Sequence, residues 1–256
     1  AINAALVTAD GRYCDGLNAT GTQVSHISQH ANSYALAFGI VPDEHRATIA
    51  AFVAKSGMRQ GPMTADILLK ALLAAGKYSE ALSLLTNADD NGWAREVANG
   101  YSFTWEGWDA DNSANENWQS HGWGAAAAAD VLAGIAGVRV LEPGAALVQI
   151  APAYCPLTSL AAAVATERGR VLVSYKRSES AWTVDVTVPA NVSARVVLPA
   201  IGNGRFAETD GPVSSDNADG AQVFAVGSGS YHFAYDGAIT VLPDAAKATG
   251  ADATEE

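Results

Sequence analysis

From residue 1 to about residue 138, apolar side chains recur every three or four positions, the period of helices lying on a core. The spacing predicts a helix over residues 26–39, stopped by Gly39 and Pro42. Asp43 is the expected cap of the next helix, over residues 45–55, which Gly57 ends. A third, over residues 63–75, gathers Ile67, Leu68, Ala71, Leu72 and Ala75 on one stripe, with Gly76 just past its end. Residues 78–85 and 118–136 complete the series. Short turns containing Gly or Pro join these segments, as antiparallel helical hairpins require. From about Leu141 the period drops to two. Residues 147–150, 171–175, 182–188 and 194–198 are β-branched runs, and 222–226 and 231–235 flank Gly227 and Gly229. Turn residues such as Gly169 and Pro189 separate them, which is the pattern of an antiparallel β-sandwich. The expected organisation is therefore α+β and multidomain: helical hairpins over residues 1–140, a β-sandwich over 141–243, and a disordered tail over 244–256. The helices amount to about half of a closed toroid of six hairpins, so the first region is expected to be a partial toroid.

Composition narrows the field. Apolar residues make up 49% of the 256, enough for a sizeable core. The longest apolar run, around residues 125–135, is Ala-rich, short of the roughly 20 residues that span a bilayer, and broken by Asp130. No membrane contact is expected. The opening residues lack a basic stretch followed by an apolar one, so no signal peptide is read there. Fifteen basic residues against 27 acidic ones give a formal net charge of −12, without a basic stripe. Such a surface repels phosphate backbones and excludes nucleic acid as a partner. Cys14 and Cys155 lie far apart and no CxxC occurs, which argues against a structural zinc site. The triplets Asn18-Ala-Thr20 and Asn191-Val-Ser193 fit glycosylation in an extracellular protein.

Five of the six tryptophans (Trp93, Trp105, Trp108, Trp118 and Trp123) fall in one window with Glu96, Glu106, Asp109, Asp111, Glu116 and His121. Flat rings beside carboxylates suit a sugar: rings stack on its C–H face, and carboxylates take its hydroxyls or move protons. Equally, the rings could plug a core while the acids are solvated. Other chemistries fit less well. Asp109-Ala-Asp111-Asn112-Ser113 has Ala114 where a calcium loop needs Gly, and Ser120 where it needs the closing Glu. His26 and His30 share a helix face, but HExxH and a third ligand are missing. No GxSxG, P-loop or GxGxxG occurs, so no cofactor is expected.

Several segments, in order, resemble the α-L-rhamnosidase family. Residues Ser28 to Pro42, ending Gly39-Ile-Val-Pro42, look like that family's helix with a similar Gly-x-Val-Pro end. Gly61-Pro-Met-Thr64, followed by Leu72 and Gly76-Lys-Tyr-x-x-Ala81, resembles its next hairpin. Tyr101-Ser-Phe-Thr-Trp-Glu-Gly-Trp108 is similar to its Thr-x-Trp-Glu-x-Trp segment. His121 and Leu132-Ala-Gly-Ile135 follow in the same order, and Glu142-Pro-Gly144 with Gln149-Ile-Ala-Pro152 matches the start of its carboxy-terminal domain. The likeness covers about residues 24–235.

The resemblance implies a piece of an inverting enzyme that cleaves terminal α-linked L-rhamnose inside an (α/α)6 barrel. It makes Glu106 the general base and His121 a sugar contact, with Trp93, Arg95, Trp105 and Trp108 as further candidate substrate-binding residues around them. Inversion needs a second carboxyl roughly 6.5–9.5 Å away. In the family that acid lies well upstream of the Trp-Glu segment, at a position that would precede Ala1. The upstream remainder of the same protein is therefore an implied partner, beside a rhamnose-containing glycan. Two positions depart from the family pattern: Gly107 stands where Arg is usual, and Ser120 where Asn is usual. Two alternatives stay open. A polysaccharide lyase on rhamnose–glucuronate linkages would use a cation near Glu106, for which Arg95 is the candidate in sequence. A non-catalytic carbohydrate-binding module would use the tryptophans alone.

Overall fold

A computed structural model describes residues 1–112, 114, 117–201, 203–209, 215–218 and 220–239. The expected tail, 244–256, lies outside the described residues. The chain divides into two compact units, Ala1–Asp130 and Val131–Glu256.

The first unit is helical. Its elements are α1 (Ile2–Leu6), α2 (Gln29–Ala37), α3 (Asp43–Lys55), α4 (Ala65–Ala74), α5 (Tyr78–Thr86) and α6 (Trp93–Ala98); α7 (Ala126–Gly134) runs on into the second. The local chemistry explains the boundaries. Ser28 caps α2 by accepting the Ala31 N–H at 3.1 Å, a contact worth about 1 kcal/mol. Past α2, Gly39 takes a left-handed φ of +67°. The cap of α3 is one residue earlier than expected from sequence: Pro42 holds the cap position, and Asp43 and Glu44 fill the first turn, where the helix dipole favours carboxylates. Helix α4 buries Ala65, Leu68, Leu69, Ala71 and Leu72 completely, so it is apolar on most sides. Each buried leucine contributes about 1.5–3 kcal/mol. Helix α2 packs on α3 and α4, α4 on α5, and α5 on α6. The helix expected over 118–136 is shorter than its pattern. It begins at Ala126 after a 3-10 turn, Gly122–Ala125, and residues 118–121 lie outside any helix. Gly122 and Gly124 weaken helix there, and the preceding residues find better partners in the 104–106 segment.

Polar side chains brace this unit from inside. Asn32, fully buried, accepts the Tyr13 N–H at 2.9 Å and donates to the carbonyls of Tyr13 at 3.0 Å and Ser28 at 2.8 Å. Gln29 donates to the carbonyls of Val53 and Gly57 and accepts the Arg59 N–H. Lys70 on α4 bonds Asp66 at 2.6 Å and lies 3.7 Å from Asp130 on α7.

The second unit contains β1 (Val138–Val140), β2 (Leu147–Ile150), β3 (Ser159–Thr166), β4 (Gly169–Arg177) and β5 (Trp182–Val188). These are followed by β6 (Ser193–Pro199), β7 (Phe206–Glu208), β8 (Ser215–Ala218), β9 (Ala221–Val226) and β10 (Gly229–Tyr235). They form two five-stranded sheets, ordered β1-β2-β6-β9-β8 and β3-β4-β5-β10-β7. Every pair is antiparallel except β2 with β6, which run parallel from Leu147 opposite Ser193 to Ile150 opposite Val196. Alternation sets the faces: Val171, Val173 and Tyr175 of β4, Trp182, Val184, Val186 and Val188 of β5, and Ala194, Val196 and Leu198 of β6 share one core. Trp182 lies at its centre, stacked on Tyr154 and edge-on to Phe206. Cys14 and Cys155 are both buried, free thiols. No helix among the described residues is long and apolar enough to cross a membrane.

Candidate active site

The segment from Tyr101 to Trp108 follows α6 and is tied by backbone hydrogen bonds at two points to residues 118–121. Glu106 donates its N–H to the Trp118 carbonyl at 2.8 Å, and its Oε2 accepts the Trp118 N–H at 3.0 Å. Two residues back, the Thr104 carbonyl accepts the His121 N–H at 2.7 Å, and the Thr104 hydroxyl donates to the His121 carbonyl at 2.6 Å. This antiparallel bracket brings Glu106, Trp118 and His121 together across a gap of 15 residues. Glu106 is half-buried, and no described residue bonds its Oε1.

The tryptophans divide by exposure. Trp105 is completely buried, edge-on to Tyr101 at 4.9 Å, and Trp108 is nearly so, edge-on to Trp93 at 5.2 Å. The expectation that Trp105 and Trp108 stack on a sugar is therefore corrected: both rings lie in the core, where burying so large an apolar surface is worth more than leaving it in water. The Trp108 indole donates to the Gln60 carbonyl at 2.7 Å, and the half-buried Trp93 donates to Gly124 O at 2.7 Å. The rings that remain open are Trp118, 70% exposed, and Phe103, 66% exposed. With Tyr101 and Gln119 they line a shallow cavity of about 490 Å³. Neither ring is among the substrate-binding residues named from the sequence, where Trp118 is one of five clustered tryptophans and Phe103 part of a motif; their exposure singles them out.

Arg95 is not a free cation. Its guanidinium pairs with both oxygens of Asp111 at 3.2 Å, which removes the group a lyase would need there. His121 turns its imidazole onto Trp123, centroids 4.1 Å apart, and its Nε2 accepts the Trp123 indole N–H. Glu96, absent from the expected site, is buried beneath the Glu106 segment. Burial pushes its carboxyl up, partly opposed by the Trp105 N–H, which donates to it at 3.2 Å. Gly107 is hemmed in: a Cβ there would meet the Asn117 amide nitrogen at 2.5 Å, and that amide is held by Asp109 at 2.8 Å. Among the described residues, no group of three or more His, Cys, Asp or Glu is placed to hold a metal ion.

Along this chain, helical hairpins precede a β-sandwich. The profile of the bacterial alpha-L-rhamnosidase six-hairpin glycosidase domain matches residues 1–131, and that of the bacterial alpha-L-rhamnosidase C-terminal domain matches residues 137–211. The chain belongs to this bacterial α-L-rhamnosidase family. It is 25% identical over 193 residues to an alpha-L-rhamnosidase of Formosa agariphila, covering 70% of this chain and 20% of that one. To the Streptomyces avermitilis alpha-L-rhamnosidase it is 26% identical over 247 residues, covering 91% and 23%. The solved alpha-L-rhamnosidase from Dictyoglumus thermophilum superposes with a TM-score of 0.78 at 21% identity, over 92% of this chain and 27% of that one. The Streptomyces avermitilis enzyme, solved with L-rhamnose, gives 0.70 at 24%, over 91% and 23%. These two structures support the fold. The chain spans between a fifth and somewhat over a quarter of the length of these relatives.

Proposed function

We propose that this chain is the carboxy-terminal part of a glycoside hydrolase that removes terminal α-L-rhamnose from a glycan or glycoside with inversion, Glu106 acting as general base. The observation that carries this reading is the tie between carboxylate and platform: Glu106 Oε2 accepts the N–H of Trp118, whose ring is open to solvent. A sugar resting on Trp118 lies beside a carboxylate whose Oε1, bonded by no described residue, can take a water molecule. That water loses its proton to Glu106 as it attacks the anomeric carbon, while a second carboxylic acid protonates the departing oxygen from the far side. The family resemblance puts that acid upstream of these residues.

The test is hydrolysis of an aryl α-L-rhamnoside by a parent extended upstream, beside its Glu106→Gln variant. Glu106→Gln is expected to lower kcat by about 10²–10⁴-fold, with the first-formed sugar of inverted configuration by NMR. An inactive parent, or a variant with full kcat, overturns the reading.

A further inference from the structure

In a chain of net charge −12, one cavity runs against the trend. A pocket of about 720 Å³ lies between the segment leading into α2 and the end of α3, lined by Arg12, His26, His30, Phe52, Lys55 and Arg59. Three of the chain's 15 basic residues and two of its five histidines thus face one space. Two of these groups are already matched. Arg12 pairs with Asp10 and lies 5.0 Å above the Phe52 ring, and His26 bonds Asp15 at 2.5 Å. Lys55, Arg59 and His30 have no carboxylate partner among the described residues.

The backbone that carries these cations is fixed. Buried Gln29 holds the turn after α3 at three points: it donates to the carbonyls of Val53 and Gly57 at 3.0 and 2.7 Å, and accepts the Arg59 N–H at 3.2 Å. The same turn reaches the candidate site, because the carbonyl of Gln60, next in sequence to Arg59, accepts the Trp108 indole N–H at 2.7 Å. Trp108 is two residues from Glu106. The basic wall and the Glu106 segment are therefore joined through one hydrogen bond. Lys55 and Arg59, facing a common space without a carboxylate partner among the described residues, favour an oxyanion, and a guanidinium offers it a two-pronged contact.

We propose that this pocket is a subsite for an oxyanion carried on the saccharide, a uronate carboxylate or a sulfate ester, so that the substrate class is an acidic rhamnose-containing glycan. The glycan assignment rests on the hydrolase reading; the anion site itself does not. The test is calorimetric titration of this chain, at low ionic strength, with methyl β-D-glucuronide, glucose 6-sulfate, inorganic sulfate and methyl β-D-glucoside. Both charged sugars are expected to bind at least tenfold more tightly than the uncharged glucoside, and the tighter of the two identifies the anion. Lys55→Gln/Arg59→Gln, two exposed substitutions, is expected to weaken the charged sugars at least tenfold with the circular dichroism spectrum unchanged. If the pair does not fold, Lys55→Gln alone gives the same reading.

Equal binding of the glucoside, unchanged binding by the folded variant, or inorganic sulfate binding as tightly as both charged sugars would each overturn the proposal. Because no turnover is measured, a parent inert towards aryl rhamnosides removes the hydrolase reading and leaves the anion pocket standing. Loss of uronide and sulfate binding removes the pocket alone.

Discussion

The interiors of the two units are built differently. Among the described residues, the buried polar side chains of the helical unit are Gln29, Asn32, Ser33, Gln60, Glu96 and Asp130, and those of the sandwich are Arg177 and Gln222. The sandwich core is an alternating set of Val, Leu, Phe and Trp from two facing sheets, which needs only burial to hold it. In the helical unit, polar side chains fix segments that have no regular structure of their own. Asn32 holds residue 13, Gln29 holds the turn after α3, and Glu96 holds the backbone of Trp105. Buried side chains that hydrogen-bond the backbone specify where a loop lies, whereas an apolar interior specifies mainly that a face is covered. The unit that carries the candidate site is the one with the polar interior.

The largest expected effect belongs to the apolar side. Trp182→Ala should cost about 3–5 kcal/mol in chemical denaturation, because the ring is fully buried between Tyr154 and Phe206. A cost below about 1 kcal/mol would break the comparison. On the polar side, burial raises the Asp130 carboxyl from 3.8 to about 6, with Lys70 opposing the rise and Asp66 adding to it. A carboxyl raised in the folded chain contributes stability that is complete below pH 3.8 and is lost as the pH climbs through about 6. Asp130→Asn should abolish that dependence, gaining on the wild type by roughly 3 kcal/mol at most between about pH 4 and 7. Lys70 keeps Asp66 in the variant. Parallel denaturation curves at every pH would show that Asp130 is solvated.

Asn32→Ala should cost about 1–3 kcal/mol for each backbone group it leaves unpaired at Tyr13. Proton exchange at the Tyr13 amide would locate the loss. Trp118→Ala should change stability by less than about 0.5 kcal/mol, since the ring is exposed. Loss of rhamnose binding measured by NMR on that stable variant would sharpen the contrast with buried Trp105; unchanged binding would remove Trp118 from the site.

Much of the architecture was legible because periodicity records burial. The runs 147–150 and 182–188 coincide with strands β2 and β5, and the Leu68–Leu72 stripe lies in the core. What periodicity cannot record is partners. Strand β3, Ser159–Thr166, is silent in the pattern because five of its eight residues are alanine or serine, and it pairs by its backbone, over its own whole length, with β4. Helices α1 and α6, with five and six residues, are too short to display a period. At the site, motif order pointed to Glu106 and His121, and the bracket with residues 118–121 needed the fold. The approach of Lys70 to Asp130 joins positions 60 apart, and in the sequence Asp130 was only the residue that interrupts an apolar run.

The tight fit around Gly107 bears on how such a loop can change. The atoms beside Gly107 are the ends of the Asn117 and Asp109 side chains, which bond each other, so a larger residue at 107 would have to turn the 117 side chain aside. Positions 107 and 117 are thus coupled: a side chain gained at one is exchanged for the hydrogen bond made from the other.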